Sequence, residues 1–139
     1  MNKIDIVCII DDDPIFIFGA KRMMELSGFC NSFMIFNNGH QAITKLAPNM
    51  VDSEKNIPDI ILLDINMPIM DGWQFLDEFI KIKNHKLITI YIMTSSIDPM
   101  DIKRVNNYES VSNYIVKPIS VEILKNISKT VQLKKSPNY

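Results

Sequence analysis

Apolar residues fall along this chain in short runs, most of them ending on a polar group, with stretches of helical spacing between them. Ile60-Ile61-Leu62-Leu63 is the clearest run, bracketed by Asp59 and Asp64. It shows no polar alternation, so it reads as a strand buried on both faces, as in the middle of a parallel sheet. Ile4–Ile10 is a second run and closes on Asp11-Asp12-Asp13. Residues 33–36 form a shorter strand, expected nearer an edge, and residues 87–93 and 112–116 give two more.

The intervening stretches carry helix signals. Asp13 followed by Pro14 is a helix start, Phe16, Ile17, Ala20, Met23 and Met24 form an apolar side, and Gly28 is placed to end the helix. A small helix is expected around Ala42, Ile43 and Leu46, stopped by Pro48, and residues 49–57 read as a polar surface loop. Asp71 with Gln74 makes a capping box ahead of an amphipathic stretch over 73–83, with Phe75, Leu76, Phe79, Ile80 and Ile82 apolar. Asp98-Pro99 opens a helix ending near 107, and Ser120 opens the last one, bearing Ile123, Leu124, Ile127 and Val131. Lys129, Lys134 and Lys135 near its end complement the helix dipole. Strand and helix thus alternate five times, the pattern of a parallel sheet wound with helices on both faces.

At 139 residues the chain is expected to form one domain over 1–139, with its core at about 4–134. A net charge of −1 and the absence of a basic block argue against nucleic acid as a partner. Cys8 and Cys30 lack CxxC spacing and read as reduced core thiols. The nine methionines read as core filler, and His40 and His85 as exposed side chains rather than ligands. No apolar run reaches the length of a membrane span, and the first one is cut short by three aspartates, unlike a signal peptide. A cytoplasmic location is expected.

The chemistry lies at the carboxyl ends of the strands, where open α/β sheets place ligand sites. Asp11 and Asp12 end the first strand, Asp64 the third, Thr94 and Ser95 the fourth, and Lys117 the fifth. Each has an ordinary reading: a cap for an aspartate (preferred for Asp13), a satisfied strand-end hydroxyl for Thr94, a solvated loop residue for Lys117. Their joint placement at one sheet edge outweighs these. Crowded carboxylates disfavour joint ionisation, and a hard cation such as Mg²⁺ removes that penalty. Lys117 and Thr94 suit an anionic oxygen, so the set fits phosphoryl transfer with Asp64 as nucleophile.

Four segments carry a family resemblance: Ile9-Ile10-Asp11-Asp12-Asp13-Pro14; Leu62-Leu63-Asp64-Ile65-Asn66-Met67-Pro68 with Asp71-Gly72; Met93-Thr94-Ser95; and Tyr114-Ile115-Val116-Lys117-Pro118. In this order and spacing they resemble the receiver domain of bacterial two-component response regulators, of the chemotaxis-regulator type, over essentially the whole chain. The resemblance implies a flavodoxin-like α/β fold, a five-stranded parallel sheet in the order 2-1-3-4-5. It implies Asp64 as phosphoacceptor, Asp11 and Asp12 as the acidic pair for Mg²⁺, and the Asn66 backbone carbonyl as a further ligand. Thr94 matches the switch hydroxyl, Lys117 the lysine that pairs with the phosphoryl group, and Tyr114 the aromatic whose rotamer follows the state. The family's Lys–Pro bond is cis, which sets that expectation for Lys117–Pro118.

The expected function is that of a phosphoacceptor response regulator acting in a phosphorelay. It would be loaded by a sensor histidine kinase or histidine phosphotransfer protein and would signal to an unknown downstream protein, as a monomer or weak dimer. Its only turnover would be its own phosphorylation and dephosphorylation. Asn66 and Ser96, small and uncharged, would flank the path of attacking water. The competing reading is an aspartate-nucleophile phosphatase of the haloacid dehalogenase type. That chemistry needs a second Asp two residues after the nucleophile, and Asn66 stands there. A degenerate receiver that only binds protein is disfavoured by the intact acidic cluster, Thr94 and Lys117.

Overall fold

A computed structural model describes residues 4–53, 55–83, 86–95 and 98–135, with no side chains described at 52, 53 or 133–135. The strands are β1 (Ile4–Ile10), β2 (Cys30–Phe36), β3 (Ile60–Asp64), β4 (Thr89–Thr94) and β5 (Val111–Val116). The helices are α1 (Pro14–Ser27), α2 (Gly39–Pro48), α3 (Gly72–Phe79), α4 (Pro99–Val105) and α5 (Val121–Lys135). All neighbouring strands are parallel, and the sheet order is β2-β1-β3-β4-β5, as the resemblance implied.

Strand side chains alternate faces, so an uninterrupted apolar run fills two cores at once. Cys8, Ile10, Ile61, Leu63, Ile90 and Ile92 face one core with residues of α2, α3 and α4. Val7, Ile9, Ile60, Leu62, Tyr91 and Met93 face the other with residues of α1 and α5. β2 lies at an edge, and Cys8 and Cys30 are both buried thiols outside any disulfide.

Caps fix where the helices begin. Asp13 accepts the Ile15 N–H ahead of α1, and Gly28 closes that helix at φ 67°, in the left-handed region that glycine adopts without strain. Asp71 and Gln74 form the capping box at α3, Asp98 accepts the Met100 N–H at α4, and the Ser120 hydroxyl accepts the Ile123 N–H at α5.

Three expectations need correction. α2 does end at Pro48, but the chain does not leave helical winding there and continues as a π-helical turn over Asn49–Ser53. The stretch 49–57 is no simple surface loop, because Met50 and Ile57 are buried in the core beside α2 and α3. α3 stops at Phe79, and Ile80 is 54% exposed, so the helix ends four residues before Lys83. His40 is exposed as expected. His85, Ser96 and the residues after 135 lie outside the described residues, as do the side chains of Lys134 and Lys135.

Candidate functional site

The parallel register carries every strand end to one edge of the sheet, and helix caps keep the adjoining backbone close. Asp64 is the last residue of β3 and pairs with Met93 of β4, while the Lys117 N–H donates to the Thr94 carbonyl at 2.8 Å. The Lys117–Pro118 bond is cis. Gly72 packs directly behind the site. A Cβ there would come within 2.7 Å of the Asp64 carbonyl oxygen and 2.8 Å of Ile65 Cα, so only glycine lets α3 start this close to β3.

Asp11 is fully buried and Asp64 is 5% exposed, whereas Asp12 and Asn66 are exposed. Carboxylate oxygens of Asp11, Asp12 and Asp64 all lie within 4.8 Å of one another. One Asp11 oxygen, Oδ1, accepts the Asp13 N–H at 2.9 Å, and Asp64 Oδ1 accepts the Asn66 N–H at 3.2 Å. Lys117 Nζ stands 2.6 Å from Asp11 Oδ2 and 3.8 Å from Asp64 Oδ2. The lysine thus leans on Asp11 rather than on Asp64, a preference no motif revealed. Despite that ion pair, Asp11 Oδ2 is buried and receives no properly angled hydrogen bond. Burial first, then the Asp11 charge, pushes the Asp64 carboxyl up to about 6 from 3.8. Lys117 and the Asn66 N–H pull it down, and Asp12 adds a smaller push upward.

An acidic trio with one under-bonded buried oxygen has the donor chemistry that a hard divalent cation takes. The residues present fit such an ion. Thr94 is buried at the β4 end, and Tyr114 of β5 is half-buried; the two line one small cavity together with Ile102 and Val105 of α4. The site residues expected from sequence are therefore gathered at one edge, with Tyr114 set beneath it. Phe16, read from sequence only as part of an apolar helix side, is also here: Lys117 Nζ sits 4.4 Å from its ring centroid. Helical spacing marks a residue as core-facing and gives no sign that its neighbour is a cation.

Over residues 7–129 the chain matches the family described as response regulator receiver domain. The chain belongs to that family. The receiver is 25% identical over 120 residues to the probable methanogenesis regulatory protein FilR2 of Methanothrix harundinacea, covering 86% of this chain and 76% of that one. It is 29% identical over 129 residues to the two-component response regulator ARR2 of Arabidopsis thaliana, covering 93% of this chain but 18% of that protein's length. Its fold is similar to the crystal structure of a two-component response regulator from Cytophaga hutchinsonii, with a TM-score of 0.85, 28% identity, and coverage of 95% of this chain and 99% of that one. The chain is thus a signalling receiver domain of two-component systems, and among its described residues no helix is long and apolar enough to cross a membrane.

Proposed function

We propose that this receiver takes a phosphoryl group from a phosphohistidine onto Asp64 and changes its partner-binding surface in response. The observation that carries this is the Asp64 carboxylate itself: nearly buried, flanked by two further aspartates, and faced by a lysine. In the transfer, the P–N bond to the donor imidazole breaks as a P–O bond forms to an Asp64 oxygen. Lys117 moves the short distance from Asp11 to pair with a phosphoryl oxygen, and the Thr94 hydroxyl donates to another. Asp11, Asp12 and Asp64, with the Asn66 backbone carbonyl, would hold Mg²⁺, which when bound supplies the charge that balances the phosphoryl oxygens.

The donor is a sensor histidine kinase or histidine phosphotransfer protein. Ile15 and Phe18, in the first turns of α1 just beyond the acidic pair, are 82% and 73% exposed, and they offer such a donor an apolar footing beside the site. The readout is a downstream protein, the unit is a single domain over about 4–134 acting as a monomer or weak dimer, and the compartment is the cytoplasm. A phosphatase of the haloacid dehalogenase type is disfavoured because Asn66, two residues after Asp64, has no acid to give. Incubation with acetyl phosphate and Mg²⁺ should add one phosphoryl mass to the wild type and none to Asp64→Asn. Equal labelling of that variant would refute the assignment.

A further inference from the structure

We propose that Phe16 is a positioning residue for Lys117, its ring completing the seat that holds the ammonium ready for a phosphoryl oxygen. This rests on the phosphoacceptor reading above. The Lys117 side chain is only 16% exposed, and among the described residues its ammonium lies near Asp11 Oδ2 at 2.6 Å, Asp64 Oδ2 at 3.8 Å, and the Phe16 ring centroid at 4.4 Å. Two of these neighbours are altered by the proposed reaction, since Asp11 would be a ligand for the cation and Asp64 becomes an acyl phosphate. The ring is altered by neither.

A phenyl face attracts a cation through its quadrupole, more strongly where water is partly excluded, as it is around this half-buried ring. When Asp11 turns to a metal ion, the ammonium loses its nearest anion. The ring then keeps it over the site instead of letting it swing into water. An aliphatic side chain of similar bulk would fill the same space and offer no such attraction. The lysine's stem would still reach the site, but it would spend less time there.

The test uses the full chain as wild type, Phe16→Leu, Phe16→Met and Phe16→Tyr, with two readouts. The first is the NMR shift of the Lys117 ε-methylene protons, which a ring face moves upfield. The second is the rate of single labelling by acetyl phosphate at saturating Mg²⁺. Wild type and Phe16→Tyr should show the upfield shift and label within about twofold of each other, as both faces attract cations. Phe16→Leu and Phe16→Met should lose the shift and label roughly 2- to 30-fold more slowly, the range that the strength of such contacts implies. Aliphatic variants that label at the wild-type rate, or a Tyr variant as slow as Leu, would overturn the proposal. So would Lys117 protons at ordinary shifts in the wild type. Failure of the wild type to label at all would instead overturn the phosphoacceptor reading, and the resonances would then judge the seat alone. Should Phe16→Leu fail to fold, the Met and Tyr variants and the wild-type shift still decide.

Discussion

At the scale of the single residue, Asp64 stores unfavourable electrostatic energy in the metal-free protein. Its carboxyl is pushed from 3.8 to about 6 in the folded chain, so the folded state binds its proton more tightly than the unfolded state does. The stabilisation from that proton is fully present below 3.8 and is lost as pH rises through about 6. At about 1.36 kcal/mol per pKa unit, this contribution is on the order of 3 kcal/mol. In chelator, denaturant melts should therefore show stability rising from pH 7 toward pH 4 relative to Asp64→Asn, whose profile lacks this slope. Mg²⁺ should take over the proton's role at neutral pH, adding about 1.4 kcal/mol at ten times its Kd. Asp12 is exposed and exerts the weakest of the upward pushes on Asp64. Asp12→Asn should raise metal-free stability by no more than about 0.5 kcal/mol while weakening Mg²⁺ binding. A loss of stability in chelator would mean that the carboxylates do not repel. The cap of α1 is Asp13, so that loss could not be put down to a missing cap.

At the scale of the element, what secures the strands differs from what the sequence pattern advertises. Apolar runs announced the strands and Asp, Ser and Pro announced the helix starts, because these depend on neighbours within a turn or two. Asp59 gave no such sign, because its partners lie far off along the chain. It is buried, and its Oδ2 accepts the N–H groups of Asp5 at 2.9 Å and Ile6 at 3.2 Å, while its Oδ1 meets Lys86 Nζ at 3.1 Å. Its own N–H donates to Ile6 and its carbonyl accepts from Thr89, so this one residue joins the entrances of β1, β3 and β4. Asp59→Ala would strip the acceptor from two backbone donors and the counter-ion from Lys86. A loss of about 3 kcal/mol in urea melts is expected. A loss under about 1 kcal/mol would show that water replaces the carboxylate without penalty. Residues 49–57 escaped the pattern for a related reason: the Met50-Val51 pair and the lone Ile57 show neither strand nor helix periodicity, and only packing with residues of α2 and α3 makes Met50 and Ile57 core.

At the scale of the whole molecule, the candidate site was legible because topology does the gathering. Once four strands are known to be parallel, their final residues must share an edge, so Asp11, Asp12, Asp64, Thr94 and Lys117 could be assembled without coordinates. The lean of Lys117 toward Asp11 and the ring beneath it could not, since they depend on side-chain directions that no spacing encodes. Coupling from that edge to α4 is the remaining step. Thr94 and Tyr114 line a cavity of about 10 Å³ shared with Ile102 and Val105, room for about one water and far less than a phenol ring needs. Tyr114 can turn inward only if Thr94 moves or α4 yields. A phosphoryl group biases that choice only through what it bonds in one state and not the other, and in the function proposed above the Thr94 hydroxyl would form that bond. Thr94→Ala should accept a phosphoryl group on Asp64 and yet uncouple α4. The smaller side chain changes the room available to Tyr114 equally with and without the phosphoryl group, so the difference between the two states disappears. Amide exchange over residues 98–108, with and without beryllofluoride, reads this directly. The wild type should change protection there on adding the mimic, and Thr94→Ala should show the same protection in both conditions. A wild-type response in the variant would mean that the signal reaches α4 through a contact other than this hydroxyl.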